Sequence, residues 1–296
     1  MKIDTHVHTT CSDGRKTVAE VFQLASELDI RLISITDHDT VDGYPAALEE
    51  AGKAGIRLVP GVELSTRDED DHVDVHVVGL RIDPDNGPLR SELKLLADAR
   101  VDARRRLLDR INDYLSDRYD VWEPVSFENV RKRVSGTIVG KPHIAAEVLE
   151  AARKTGIEIP EEELYRIFKL PEVETKKAYE LTMAECIRLI KASGGLPVLA
   201  HPFEYARPDA VMKKFKKLGG VGVELCKYRQ KTKMRSIRAI EPFERIMIER
   251  QLNMKTVEMA RRYGLKLTAC SDYHAKNGEP GMETDEYSID ISWLLE

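Results

Sequence analysis

Residues 3–14 read IDTHVHTTCSDG, and the first half of that stretch decides how the chain folds. Ile3 to Val7 is a short strand-like run that ends on two histidines. Side chains of an extended strand alternate between faces, so His6 and His8, two apart, point the same way and reach one common point. The arrangement recurs. The run Arg31–Thr36 is followed by His38, and Arg57–Leu64 carries Glu63 just after a Pro60-Gly61 pair that would bend the strand. Val73–Leu80 contains His76, Leu196–Ala200 runs into His201, and Lys266–Cys270 runs into Asp272 and His274. Folding gives no reason for imidazoles and carboxylates at strand exits. A cluster of divalent cations does.

Amphipathic stretches separate these runs. Val18, Val21, Phe22, Ala25 and Leu28 share one face of a helix predicted over Thr17–Leu28. Further helices are predicted over Tyr44–Ala54, Met183–Ala192, Pro208–Leu218 and Asn253–Tyr263. With Val221–Leu225 there are seven strands, most with a following helix. Such alternation predicts parallel strands with crossover helices. The expected fold is α/β, a seven-stranded (β/α)7 TIM-like barrel with its chemistry at the C-terminal strand ends. The pattern is interrupted by a long helix from Pro88 to about Leu115 and by shorter ones near Ser126–Val134, Pro142–Lys154 and Pro160–Phe168. Residues 1–80 and 182–296 are therefore read as the barrel, and 81–181 as a helical insertion that serves as a lid at its mouth.

A net charge of −5 supplies no global basic field, so no stable binding of double-stranded nucleic acid is expected. An anionic substrate must be held by local charge or by metal. The four cysteines form no CxxC, which argues against a disulfide framework and a cysteine zinc site. Cys11 and Cys270 read as small packing residues. No apolar run approaches 18 residues and no signal pattern opens the chain, so no membrane partner and a cytoplasmic location are expected.

Imidazole and carboxylate ligands without sulfur suit Zn²⁺, Mn²⁺ or Fe²⁺. Spacing does not choose between His72 and His76, which lie four apart and share a strand face. Together, HVHTTCSDG (6–14), ITDHDT (35–40), GVELS (61–65), HVVGL (76–80), LAHP (199–202) and SDYH (271–274), in this order and spacing, resemble the PHP (polymerase and histidinol phosphatase) family. The resemblance implies a distorted seven-stranded barrel around a trinuclear metal centre, and it favours His76. Carried over by position, it implies the ligands His6, His8, Asp13, His38, Glu63, His76, His201, Asp272 and His274. One ion would take His6, His8, Glu63 and Asp272; a second Asp13, His38 and His274; a third Glu63, His76 and His201. The implied cofactor is three divalent ions, Mn²⁺ first, with Zn²⁺ or Fe²⁺ as alternatives. Asp4, Asp37 and Asp39 flank ligands and are read as partners that orient imidazole N–H groups.

The surplus positive charge of such a centre suits a phosphate group, attacked in line by a metal hydroxide without a covalent intermediate. No GxSxG and no Walker-type loop is present. The segment GKPHIAAEV (140–148) puts Lys141 and His143 at a helix start, where a phosphate clamp is expected, with His143 also read as the catalytic general acid. Lys177, just before the barrel resumes, is a further substrate contact, with Tyr179 beside it. GKPH resembles a segment of a TrpH/YciV-like subgroup, whose members act on 5′ ends of short RNAs or on nucleoside 3′,5′-bisphosphates. The expected function is thus metal-dependent hydrolysis of phosphate esters of nucleotides or short oligonucleotides, as a bisphosphate phosphatase or a 5′-3′ exonuclease-like enzyme. The expected partner is a phosphorylated small molecule. Lys227, Arg229, Lys231, Lys233, Arg235 and Arg238, after the sixth strand, offer a site for a polyphosphate or oligonucleotide backbone. This stretch departs from the family pattern, as does CSDYH in place of GSDFH. Three rivals stand beside this reading: a histidinol-phosphate phosphatase, an amidohydrolase, and a non-catalytic module. Amidohydrolases bridge their metals with a modified lysine, where this chain has Glu63. A non-catalytic module is expected to lose ligands, and all nine are present here.

Overall fold

The computed structural model describes residues 1–69, 71–134, 136–231, 234, 237, 240–276 and 278–296. The chain begins with β1 (Lys2–Val7), α1 (Val18–Glu27), β2 (Ile30–Ile35) and α2 (Tyr44–Ala54). Thr17 starts α1 with a reciprocal capping box to Glu20, and Val18, Val21, Phe22 and Ala25 are its buried face. β1 and β2 pair in parallel, as the crossover requires.

The third strand is broken in two. β3 (Arg57–Leu58) pairs in parallel with β2, whereas β4 (Gly61–Ser65) leaves that sheet and pairs with β5 (His76–Leu80). Pro60 has no N–H with which to continue the ladder. Gly61 lies so close to β2 that a Cβ there would overlap Ser34 Oγ and stand 2.7 Å from Thr36 Cγ2. The bend expected at Pro60-Gly61 is therefore the point where the chain changes sheets.

The expectation of parallel strands throughout is corrected here. β4–β5 and β5–β6 (Leu196–Leu199) are antiparallel, as is the short β9 (Met282–Glu283) against β1. Only the loop 66–75 joins β4 to β5, too short for a helical crossover, so the chain turns back beside itself. Parallel pairing resumes from β6 to β7 (Gly222–Cys226) and β8 (Lys266–Cys270), connected by α8 (Pro208–Lys217) and α9 (Pro242–Tyr263). α9 starts at Pro242, well before the expected Asn253, because its first turns leave Phe243, Ile246 and Met247 exposed and so carry no buried-face periodicity.

The strands form two sheets, β3-β2-β1-β9 and β4-β5-β6-β7-β8. These meet across both gaps near the strands' C-terminal ends. On one side His8 N–H donates to the Tyr273 carbonyl (2.9 Å) and the Thr5 and Thr268 hydroxyls pair at 2.8 Å. On the other, Asp39 N–H donates to the Glu63 carbonyl at 2.8 Å.

Between β5 and β6 run α3 (Gly87–Ser116), α4 (Phe127–Arg131), α5 (Lys141–Lys154), α6 (Glu161–Ile167) and α7 (Met183–Ala192). The thirty residues of α3 span about 45 Å and tie two cores together. Leu89, Leu93 and Leu96 pack with Val62, Val77 and Leu199 of the sheet. Leu107, Leu108, Ile111 and Leu115 pack instead with Ile144, Val148 and Leu164 in a separate helical core. Between the two halves, buried Arg100 donates to Asp39 Oδ2 and Ser65 Oγ, locking α3 against the strand ends. Among the described residues, no helix is long and apolar enough to cross a membrane.

Candidate metal centre

His6 and His8 stand at the end of β1 with their Nε2 atoms 3.0 Å apart, as their two-residue spacing demands. Both rings are buried. Glu63, on β4, lies at the middle of the cluster and divides its two oxygens. Oε2 is 3.2 Å from His6 Nε2, 3.2 Å from His8 Nε2 and 2.9 Å from His38 Nδ1. Oε1 is 2.9 Å from His76 Nδ1 and 3.4 Å from His201 Nε2. Asp272, just past β8, brings Oδ1 to 3.1 Å from His8 Nε2 and 3.5 Å from His6 Nε2. To one side Asp13 Oδ1 is 3.2 Å from His274 Nε2, 3.8 Å from His8 Nδ1 and 3.9 Å from His38 Nε2. All nine expected ligands thus come together. The local grouping differs from the expected one in that His38 lies between Glu63 and His76 as well as beside Asp13, and His201 also faces Glu204 and Asp272.

The donor atoms fit divalent cations. Asp13 Oδ1, His38 Nδ1, Glu63 Oε2, His201 Nδ1 and Asp272 Oδ1 are all sealed from water without a hydrogen bond. Even the 2.9 Å approach of His38 Nδ1 to Glu63 Oε2 lacks hydrogen-bond geometry. Buried polar atoms left so are costly, and a cation bound among such oxygens and imidazole nitrogens recovers that cost. Electrostatics agree. Burial works against charge on Glu63, yet His6, His38 and His76 hold its carboxyl well below the usual range. Burial also opposes charge on Asp272, which Lys231, His274 and His6 hold well below that range. The backbone is strained at the same place, with φ of +23° at His201 and +51° at both Asp39 and Asp272.

The family pattern of the PHP domain matches residues 4–182. The chain belongs to the PHP domain family. Among PHP relatives, the 5′-3′ exoribonuclease Rnm of Salmonella typhimurium is 31% identical over 208 residues, 68% of this chain and 66% of that protein. The phosphoribosyl 1,2-cyclic phosphate 1,2-diphosphodiesterase of Eggerthella lenta is 28% identical over 93% of this chain and 95% of its own length. The 3′,5′-nucleoside bisphosphate phosphatase of Chromobacterium violaceum is 24% identical over 95% of this chain and 90% of its own. A solved amidohydrolase structure from that last organism superposes with a TM-score of 0.73 at 22% identity, covering 95% of this chain and 91% of its own. That likeness concerns the fold alone.

A residue that shapes this PHP site was not among those expected from the sequence. Glu224 on β7 holds His6 Nδ1 at 3.0 Å and accepts from the His201 backbone N–H at 2.9 Å. Its signal was present in the sequence: GVEL occurs twice, at 61–64 and 222–225, and both copies turn the glutamate into the site. The roles expected of Asp4, Asp37 and Asp39 are corrected in part: each braces backbone and loops and none bonds an imidazole directly, while Asp37 reaches His8 through Ser12, whose Oγ lies 3.5 Å from His8 Nδ1. Asp4 accepts from Ser271 N–H and Oγ and from Gly281 N–H. Asp37 accepts from Thr9 and Ser12, and Asp39 from Arg100 and the Ser65 N–H.

The basic stretch is also different from a free cationic face. Lys227 Nζ donates to the Glu279 and Pro280 carbonyls, and Arg229 pairs with buried Glu249. Lys231 is held by Asp272 and Glu204. Lys233, Arg235 and Arg238 lie outside the described residues. His72 stays away from the cluster, paired with Asp71 (2.8 Å) and Glu69 (3.2 Å).

Gly140 packs against Asp13, so the start of α5 borders the cluster. His143 Nδ1 accepts from Gly140 N–H at 3.0 Å, which puts the ring proton on Nε2, and burial lowers its pKa. Lys177 pairs with Glu180 at 2.8 Å.

Proposed function

We propose that this PHP protein is a metal-dependent phosphoesterase that hydrolyses phosphate esters of nucleotides or short oligonucleotides. The observation that carries this reading is Glu63. One buried carboxylate offers its two oxygens to two different sets of histidines. That is the arrangement of a bridging ligand, and phosphoester hydrolysis is the chemistry a cluster of bridged cations serves best. The hydrolytic activities named for the exoribonuclease, diphosphodiesterase and bisphosphate phosphatase relatives all act on phosphate esters.

In this reading His6, His8, Asp13, His38, Glu63, His76, His201, Asp272 and His274 hold three divalent ions, Mn²⁺ first and Zn²⁺ or Fe²⁺ as alternatives. Bound there, such ions supply an activated water and neutralise a phosphoryl group. The two sheets, bridged at their C-terminal ends, are the halves of a distorted seven-stranded barrel, and residues 81–181 are an insertion that caps it. Glu224 keeps the His6 ring turned so that Nε2 faces the cluster. Lys141 contacts the phosphate. His143 takes part as a neutral ring whose Nε2–H donates to a phosphoryl or leaving oxygen, because Nδ1 is already engaged by Gly140. Lys177, paired with Glu180, contacts substrate on exchange from that carboxylate. A cytoplasmic enzyme on small phosphorylated substrates is the consistent setting.

The test is a hydrolysis screen of the Mn²⁺-loaded protein on adenosine 3′,5′-bisphosphate, a 5′-phosphorylated dinucleotide, histidinol phosphate and an aryl phosphate. Preference for the first two is expected. Preference for histidinol phosphate would replace the substrate assignment, and inactivity on every phosphate would sink the enzymatic reading.

A further inference from the structure

Asp272 presents its two oxygens to different neighbours. Oδ1 faces the histidines of the cluster, 3.1 Å from His8 Nε2 and 3.5 Å from His6 Nε2. Oδ2 accepts from the Lys231 ammonium, which also pairs with Glu204 Oε1. Glu204 in turn approaches His201, whose Nδ1 lies 3.7 Å from Glu204 Oε1 and is sealed from water without a hydrogen bond. One nitrogen of His201, one oxygen of Glu204 and one of Asp272 fall within 4.8 Å of one another. Two carboxylates and an imidazole so placed are a donor set for a divalent cation. The charge that meets both carboxylates is instead an ammonium of the chain itself.

Three strand exits build this place. After β6, residues Pro202–Glu204 form a 3₁₀ turn in which Glu204 N–H donates to the His201 carbonyl at 3.0 Å, folding Glu204 back beside His201. After β7, Tyr228–Gln230 form a second such turn, and Lys231 N–H donates to the Tyr228 carbonyl at 2.9 Å. Buried Tyr228 ties the two turns together, its hydroxyl accepting from Phe203 N–H at 3.1 Å. Lys227 N–H donates to the Cys270 carbonyl at 3.1 Å, which joins the exit of β7 to that of β8, two residues before Asp272. The side chains of Lys231 and Asp272 are only 14% and 10% exposed, whereas Glu204 reaches solvent at 31%. A largely buried ammonium needs full pairing, and the two carboxylates supply it. The exposed edge of Glu204 gives ions from outside a way in.

We propose that the Lys231 ammonium fills a cation position of its own, formed by Asp272, Glu204 and His201, and stands where a divalent ion would otherwise bind. Lys231 is a positioning residue. It keeps Asp272 turned with Oδ1 towards His6 and His8, and it gives the centre a tethered positive charge that no chelator removes. Among the described residues of the basic stretch after β7, this one belongs to the metal centre and not to a nucleic-acid backbone. The inference rests on the metal-centre part of the proposed function and is independent of the substrate.

The test counts ions. Metal-free protein is dialysed to equilibrium against Mn²⁺, and the bound metal per chain is measured by elemental analysis on both sides of the membrane. Lys231→Met and Lys231→Gln are each expected to take up about one more ion per chain than native protein, because the two carboxylates lose their ammonium. Lys231→Arg keeps the charge and is expected to hold the native number. Lys231→Met combined with Glu204→Gln removes a ligand from the vacated position and is expected to return to the native number. If Lys231→Met does not fold, Lys231→Gln, which keeps a polar side chain, carries the comparison. An ion pair that only braces the loop predicts no gain, so a count at or below the native one in the Met and Gln variants overturns the proposal. A gain that persists after Glu204→Gln also overturns it, since Glu204 is then no part of the position. Native protein that takes up no Mn²⁺ fails the metal-centre reading, and the difference between native protein and variants still decides the role of Lys231.

Discussion

His6 Nδ1 lies 3.0 Å from Glu224 Oε1, on the side of the ring away from the Nε2 that meets His8 and Glu63. Both residues are fully buried and 218 positions apart in the chain. The pair sets which nitrogen of His6 is a donor and therefore which one is left for a cation.

Replacing Glu224 by glutamine or alanine is accordingly expected to weaken metal binding about 10- to 100-fold while the fold is kept. Metal analysis after dialysis against graded chelator would reveal it. An unchanged metal content at every chelator concentration would refute a ligand-orienting role.

Metal uptake should expel protons. Burial alone would lower the pKa values of His8 and His76. The first is instead raised to about 10 by Asp272 and Glu63, the second to about 10 by Glu63 and Asp74. In metal-free protein both rings are thus charged at neutral pH. Because these folded-state values lie above the ordinary 6.5, the stabilisation they give is fully present below about 6.5 and is lost as pH rises through about 10. His6 is raised in the same way by Glu224, Glu63 and Asp272. Cations require neutral imidazole, so binding at pH 8 is expected to release two or more protons, with affinity increasing towards alkaline pH. Calorimetry in buffers of different ionisation enthalpy measures this directly, and a heat independent of buffer would contradict it.

Arg100 is expected to matter for stability more than any exposed arginine. Burial would raise the Asp39 carboxyl, but Arg100, with Lys177 and His38, holds it below its usual range. Arg100→Met strands that buried charge, at a cost of about 3–5 kcal/mol. Urea unfolding of metal-free protein is the check. A loss under about 1 kcal/mol would mean that water reaches Asp39.

Gly61→Ala should damage both fold and site. The added methyl overlaps Ser34 Oγ at the point where the chain changes sheets. A cost of about 1–3 kcal/mol is expected from overpacking. Because Glu63 is two residues on, metal content should fall as well. A thermal midpoint and a metal content both equal to the native protein's would show that β2 can give way.

Much of the site was legible because its rules are local. The HxH spacing places His6 and His8 on one strand face wherever the strand goes, and an imidazole or carboxylate directly after an apolar run stands at a strand end in any α/β arrangement. The PHP motifs were readable for the same reason, each lying within one strand and its exit. Strand direction was not. Pro60-Gly61 announces a bend, but nothing in residues 57–80 says that the chain changes sheets there or that the next strand runs backwards, since a short apolar run reads the same in either direction.

What the sequence alone determined, then, is a set of nine candidate ligand side chains in or near the strands and an all-helical segment between them. Only the tertiary structure decided how they are used. Glu63 acquires its five histidine neighbours because β4 crosses from one sheet to the other, and those neighbours come from β1, β5 and the exits of β2 and β6. Glu224 became a partner of His6 through a contact between segments far apart in the chain. Local patterns prescribe which way a side chain points from its own strand or helix. What it meets there depends on the packing of every other element, which no single stretch of sequence contains.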